Sequence, residues 1–206
     1  MRPAGAKPVI FSHWAHRLRY TCRVCHFELQ INFKAGTTGI TMEDNVEGKY
    51  CGACHNGRTA FSIADCGRCH NGGKGPSAEE FAKKTRGLPR ASHGNGIDWN
   101  LAIEEKLIKP ADYLTIRPQE FPFDRTLTLR AAWDYVPPAV FPHKVHTRWL
   151  GCNNCHPDIF DIKNRTEAQN RMGSYFDGKF CGVCHGKVAF PLEDCGRCHQ
   201  GMTNWR

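Results

Sequence analysis

VIFSHWAHRLRYTCRVCH, from Val9 to His26, and AVFPHKVHTRWLGCNNCH, from Ala139 to His156, are two copies of one pattern. Shifting the first by 130 residues lays Phe11, His13, His16, Cys22 and Cys25 on Phe141, His143, His146, Cys152 and Cys155. Each stretch ends in Cys-x-x-Cys-His, and the same motif starts again at Cys51, Cys66, Cys181 and Cys195. The six copies (CRVCH, CGACH, CGRCH, CNNCH, CGVCH and CGRCH) use all twelve cysteines of the chain.

The spacing specifies its chemistry. Two thiols three residues apart become thioethers to the vinyl groups of one haem, and the next residue supplies the proximal imidazole to its iron. Zinc ribbons and disulfide frameworks also use paired cysteines, but neither requires a histidine directly after the second cysteine every time. The sequence therefore predicts six covalently attached c-type haems. Their sites are Cys22, Cys25 and His26; Cys51, Cys54 and His55; Cys66, Cys69 and His70; Cys152, Cys155 and His156; Cys181, Cys184 and His185; and Cys195, Cys198 and His199.

Composition agrees with this reading. The chain has 206 residues, 20 Gly and 12 Pro, with few sustained apolar periods, so its side-chain core is expected to be thin, with porphyrins filling much of the interior. The formal charge of +8 fits compensation of propionates. Two per haem would bring the total to roughly +2 with ferric iron and about −4 with ferrous iron. No basic stripe interleaved with aromatics marks a nucleic-acid surface. No run of around 18 apolar residues marks a transmembrane segment. Met1 to Pro8 lacks an apolar signal region, yet bacterial haem attachment takes place outside the cytoplasm. The sequence thus reads as a mature form that has lost its export signal, with a periplasmic or extracellular location expected.

The duplication continues beyond the opening stretch. GKYCGACHNGRTAF answers GKFCGVCHGKVAF, and ADCGRCH answers EDCGRCH, the offset becoming 129 at the last motif. This implies two trihaem modules, residues 5–73 and 136–203, joined by an ordered connecting segment, residues 74–135. In that segment SAEEFAKKTRG predicts a helix with a capping box from Ser77 to Glu80. IDWNLAIEEKLIKP predicts another, capped near Asp98 and ended before Pro110. Thr126 to Arg130 predicts a short strand among prolines. The aromatic residues Trp99, Tyr113, Phe121, Phe123, Trp133 and Tyr135 indicate a segment packed on the modules. FELQINF after His26 and DIFDIK after Pro157 alternate apolar with polar, as short strands do. The attachment motifs are expected on short helical turns. Phe11, Trp14 and Trp149, beside the histidines, are expected to pack against porphyrin.

Eleven histidines are present and six belong to the attachment motifs. His13, His16, His143 and His146 recur at equivalent positions, and an i, i+3 pair lies on one helical face, so each module has two distal imidazoles for three haems. Met42 and Met172, each nine residues before the first cysteine of a middle motif, are candidates for the remaining position. An open iron, or service by His93, are the other options. A thioether ligand raises the reduction potential relative to imidazole.

Phe-x-His-x-x-His ahead of three Cys-x-x-Cys-His motifs resembles the class III cytochromes c, most closely the trihaem c7 type repeated in tandem. The resemblance implies a multihaem cytochrome c fold of short α-helices and irregular chain around stacked haems, with minor short β-strands, in two repeated modules. Carried over, it pairs His13 with His26, His16 with His55, His143 with His156 and His146 with His185. No histidine precedes CGACH or CGVCH, where the family has its third distal ligand; Met42 would then pair with His70 and Met172 with His199. The function implied is electron transfer and storage between redox protein partners or extracellular acceptors. The alternatives are a multihaem reductase with one open haem, or an electron-transfer subunit of a quinol-oxidising membrane complex or filament.

Overall fold

The computed structural model describes residues 5–73, 75–119, 121–161, 169 and 171–202. They form short helices and irregular chain, with one two-stranded sheet. The chain divides into two compact units, Met1–Gly87 with Lys109–Leu114, and Leu88–Ile108 with Thr115–Arg206.

In the first unit, α1 (His13–Arg17) carries the two paired histidines, α2 (Met42–Val46) precedes the middle motif and α3 (Cys66–Cys69) is the third motif itself. CRVCH continues from a helical turn into a π-helical one, Val24–Glu28, and CGACH takes a 3₁₀ turn, Tyr50–Ala53. The alternating FELQINF does not form a strand. Ile31 donates its N–H to the Cys25 carbonyl at 2.8 Å and its own carbonyl accepts from His26 Nδ1 at 2.7 Å, so the segment curls back on its attachment motif instead of extending. Helix α4 (Ala78–Lys84) starts where its cap predicts, the Ser77 hydroxyl accepting from Glu80 N–H. Its Phe81 meets Trp14 edge-on at 5.1 Å.

Residues 109–114 also belong to this unit. Thr21 N–H donates to Ala111 O at 2.9 Å, and Ala111 N–H to Arg19 O at 2.7 Å. Arg23 Nη1 donates to Asp112 at 2.9 Å, and Leu114 N–H donates to Glu28 at 2.6 Å. This strap closes over the first attachment motif.

In the second unit, α5 (Trp99–Glu104) is capped by Asp98, which accepts from Leu101 N–H at 3.0 Å. It ends well before Pro110, at a turn where Lys106 takes a positive φ of 58°. Strand β1 (Thr126–Leu129) pairs antiparallel with β2 (Ala139–Pro142), which leads into α6 (His143–Thr147). Helix α7 (Cys152–Cys155) carries CNNCH, and α8 (Met172–Phe176) precedes 3₁₀ turns at Phe180–Val183 and Cys195–Arg197. Residues 158–161 of the second alternating segment form a turn and no strand, and the remainder of DIFDIK lies outside the described residues. Helix α5 docks on the end of α6, where Trp149 Nε1 donates to Asn100 at 2.7 Å and Arg148 pairs with Glu104.

Among the described residues the buried apolar side chains are Val24, Ile97, Trp99, Ala102 and Ile108. Four of these belong to the connecting segment around α5, and only Val24 lies inside a module. Phe11, Phe123, Val46 and Phe176 stay exposed, so the protein side chains leave much apolar surface for the cofactors to cover.

Candidate functional site

The histidine pair on each short helix is held by the phenylalanine ahead of it. Phe11 stacks on His16 at 4.4 Å and meets His13 edge-on at 4.8 Å; Phe141 does the same to His146 at 4.3 Å and to His143 at 4.8 Å. One aromatic ring thus orients both imidazoles of a turn, which explains why the motif begins with Phe.

The helices then place one of these imidazoles opposite the histidine of the middle motif. His16 and His55 have ring centroids 6.1 Å apart, and His146 and His185 lie 6.2 Å apart. Two imidazoles bound through Nε2 to opposite faces of one metal, at about 2 Å each, have centroids roughly 6 Å apart. The separation fits an iron between them. His13 lies within electrostatic reach of His26.

Protonation is arranged to match. His16 and His146 donate Nδ1–H to the carbonyls of Ser12 and Pro142, both at 2.9 Å. His26 and His156 donate to Ile31 and Phe160 at 2.7 and 2.6 Å, and His55 and His185 to Phe61 and Phe190, both at 3.1 Å. His70 and His199 donate to Lys7 and Pro137, both at 2.6 Å, and His143 to Arg125 at 2.7 Å. A backbone carbonyl can only accept, so Nδ1 carries a proton in each of them, which leaves Nε2 as the atom available to ligate a metal. Burial holds His13, His16, His26, His146 and His185 below the ordinary histidine range, which keeps these rings neutral.

His93 differs. Its Nδ1 faces the guanidinium of Arg197 at 2.9 Å, and since arginine can only donate, the ring proton sits on Nε2. That is the opposite tautomer to the nine histidines above.

Within each module the attachment motifs converge. All twelve cysteines lie among the described residues and none forms a disulfide. Burial, with a smaller contribution from Cys54, Cys51 and Cys22, pushes the Cys25 thiol up to about 12. Burial and the neighbouring Cys198 push Cys181 up to about 11.

Met42 and Met172 are the first residues of α2 and α8, with 50% and 38% of their surface exposed. Both helices end in a glycine turn, at Gly48 (φ 80°) and Gly178 (φ 76°), that folds the chain back. Tyr50 and Phe180 follow in the left-handed region at φ 46° and 50°, unusual for bulky residues and repeated in both modules. The fold-back presses the middle motif onto the helix. A Cβ on Gly52 would lie 1.9 Å from the Asn45 carbonyl oxygen, and one on Gly182 would lie 1.8 Å from that of Tyr175. The methionine-bearing helices are therefore seated on CGACH and CGVCH. The glycine of each of those motifs is a steric requirement that the motif pattern alone does not reveal.

The family model described as cytochrome c7 and related cytochrome c matches residues 9–71 and 139–201, the two halves of the repeat. No curated protein matches the chain. Among solved structures, the C-terminal hexaheme fragment of GSU1996 is 32% identical, the match covering 97% of this chain and 94% of that one with a TM-score of 0.31. The N-terminal hexaheme fragment of GSU1996 is also 32% identical, over 96% and 94%, with a TM-score of 0.31. The dodecaheme cytochrome c GSU1996 is 26% identical, over 97% of this chain and 72% of that one, with a TM-score of 0.32. With its family model matched twice and six attachment motifs in place, this chain belongs to the cytochrome c7 and related cytochrome c family, as a multihaem electron-transfer protein with six covalently attached c-type haems.

Proposed function

We propose that the protein carries and stores electrons for redox partners in the periplasm or at the cell exterior, through two trihaem modules with a common ligand plan. The modules are residues 5–73 and 136–203. Each bound haem supplies a one-electron ferric/ferrous couple whose potential is set by its axial ligands and surroundings.

In the first module the ligand pairs are His13 with His26, His16 with His55 and Met42 with His70. In the second they are His143 with His156, His146 with His185 and Met172 with His199. The observation that carries this plan is the facing of His16 on His55 and His146 on His185 at one-metal separation, each ring with its Nδ1 proton tied to a carbonyl. Imidazole on both faces of an iron leaves no position for substrate, which suits transfer of electrons rather than bond making. The tautomer of His93 supports leaving it outside the ligand set, and the repeat of Met42 at Met172, each heading a helix seated on the middle motif, supports thioether ligation. Mixed ligation spreads the potentials, so that one molecule accepts several electrons and releases them to different partners.

Near-infrared magnetic circular dichroism of the oxidised protein separates bis-imidazole from imidazole/thioether iron. The expected spectrum has both components in a ratio of four haems to two. Absence of the thioether component would remove Met42 and Met172 from the plan, and rapid carbon monoxide binding by the ferrous protein at two sites would replace them with open irons.

A further inference from the structure

The two modules share the proposed ligand plan but not their charge around the first haem. Arg17 and Arg23 stand in the first copy where Thr147 and Asn153 stand in the second. Arg17 ends α1, and its charge reaches both His13 and Cys22. Arg23 sits between the two cysteines of CRVCH with its side chain only 5% exposed, and its charge also reaches Cys22. Its partner Asp112 lies 2.9 Å away but is 52% exposed, so water screens the carboxylate more than the guanidinium. In the second copy Arg148, the residue after α6, pairs with Glu104.

A second asymmetry points the same way. His143 donates Nδ1–H to Arg125 O at 2.7 Å, whereas His13 makes no such bond among the described residues. Donating that proton makes an imidazole a stronger electron donor, which favours ferric iron. The second copy has this bond and lacks both arginines; the first has the arginines and, among the described residues, no such bond.

We propose that Arg17 and Arg23 make the site of Cys22, Cys25, His26 and His13 the more readily reduced member of the repeated pair, so that it takes an electron from a redox donor before its counterpart at Cys152, Cys155, His156 and His143. The physical reason is that reduction lowers the charge of the iron centre by one, and a nearby, largely desolvated cation stabilises the product. The arginines exchange no proton in this step. They act through the field at the haem, as tuning residues and not as ligands. The proposal rests on the ligand plan above, since it compares two sites of identical ligation.

The test is a site-resolved redox titration of the six-haem protein, following haem methyl resonances by NMR in the parent, in R17T/R23N and in the reverse variant T147R/N153R. In the parent the first site is expected to titrate above the fourth. Exchanging both arginines should lower the first site's reduction equilibrium about tenfold, equivalent to about 59 mV for a one-electron couple. The reverse variant should raise the fourth site by a similar factor and leave the first within twofold. A parent in which the fourth site is equal or higher would overturn the proposal, as would a first site that R17T/R23N leaves within twofold. Where R17T/R23N retains fewer than six haems, T147R/N153R decides the matter, and an unmoved fourth site refutes the field argument. Absence of bis-imidazole signals at these two sites in the parent would overturn the ligand plan itself, an outcome distinct from unchanged potentials with ligation intact.

Discussion

Replacing Gly52 by alanine tests how the methionine helix is seated. The new Cβ would stand 1.9 Å from the Asn45 carbonyl oxygen, 2.7 Å from its carbon and 2.9 Å from its Cα. All three are backbone atoms, so no side-chain rotation relieves the contact. Restoring ordinary van der Waals distance requires α2 to withdraw by about 1.5 Å, and overpacking of this kind destabilises a structure by about 1–3 kcal/mol. A metal–sulfur bond does not survive a shift of that size, so under the proposed ligand plan Met42 should leave the iron it shares with His70. The assay is guanidinium denaturation of the six-haem protein together with near-infrared dichroism. G52A is expected to lose stability and one of the two thioether signals. G67A is the control, because a Cβ at Gly67 meets nothing within 4 Å. Should G52A match G67A in both stability and ligation, α2 does not bear on the middle motif and the reasoning fails. G182A is expected to repeat the effect in the second module, where the Tyr175 oxygen lies 1.8 Å from the Cβ position.

Two further outcomes are expected. Thr41→Ala removes the capping box in which the Thr41 hydroxyl accepts from Asp44 N–H at 3.1 Å and Asp44 accepts from Thr41 N–H at 3.0 Å. It should cost about 1 kcal/mol and speed displacement, by added imidazole, of the thioether ligand proposed for the first module; a rate equal to the parent's would rule out a role for the cap. Haem-free chain should show neither a cooperative unfolding transition nor native-like near-ultraviolet dichroism, because the five buried apolar side chains found among the described residues make a small core. A sharp transition in that preparation would show that the polypeptide folds without its cofactors.

The parts read correctly from the residues were those with a local cause. Ser77 and Asp98 cap helices where their side chains reach the N–H groups of Glu80 and Leu101, a relation within three residues. The strand at Thr126 was visible as a short run set among prolines, although its partner Ala139–Pro142 was not, since half of that stretch already read as ligand motif. FELQINF misled because period-two alternation describes which residues are apolar and not where their backbone bonds go. Here the Ile31 N–H is taken by Cys25 O and the Ile31 carbonyl by His26, and a strand would have to give up both. Helix α5 stopped short of Pro110 because the chain turns left-handed at Lys106, a residue that carries no turn signal.

The number of haems, their grouping in threes and the histidines on offer are all written in short motifs, since covalent attachment needs only neighbours along the chain. Distances across the chain are of another kind. That His16 faces His55, that nine imidazoles turn Nδ1 to a carbonyl while His93 turns its own to Arg197, and that Gly52 and Gly182 lie against distant backbone depend on where remote segments come together. The connecting segment shows the same limit. Residues 109–114 join the first unit and residues 88–108 the second, a division set by the partners of Asp112, Leu114, Asn100 and Glu104. A linear string can name the groups that bind iron, but packing decides which of them meet, because hydrogen bonds and contacts made across tens of residues leave no period or spacing to read.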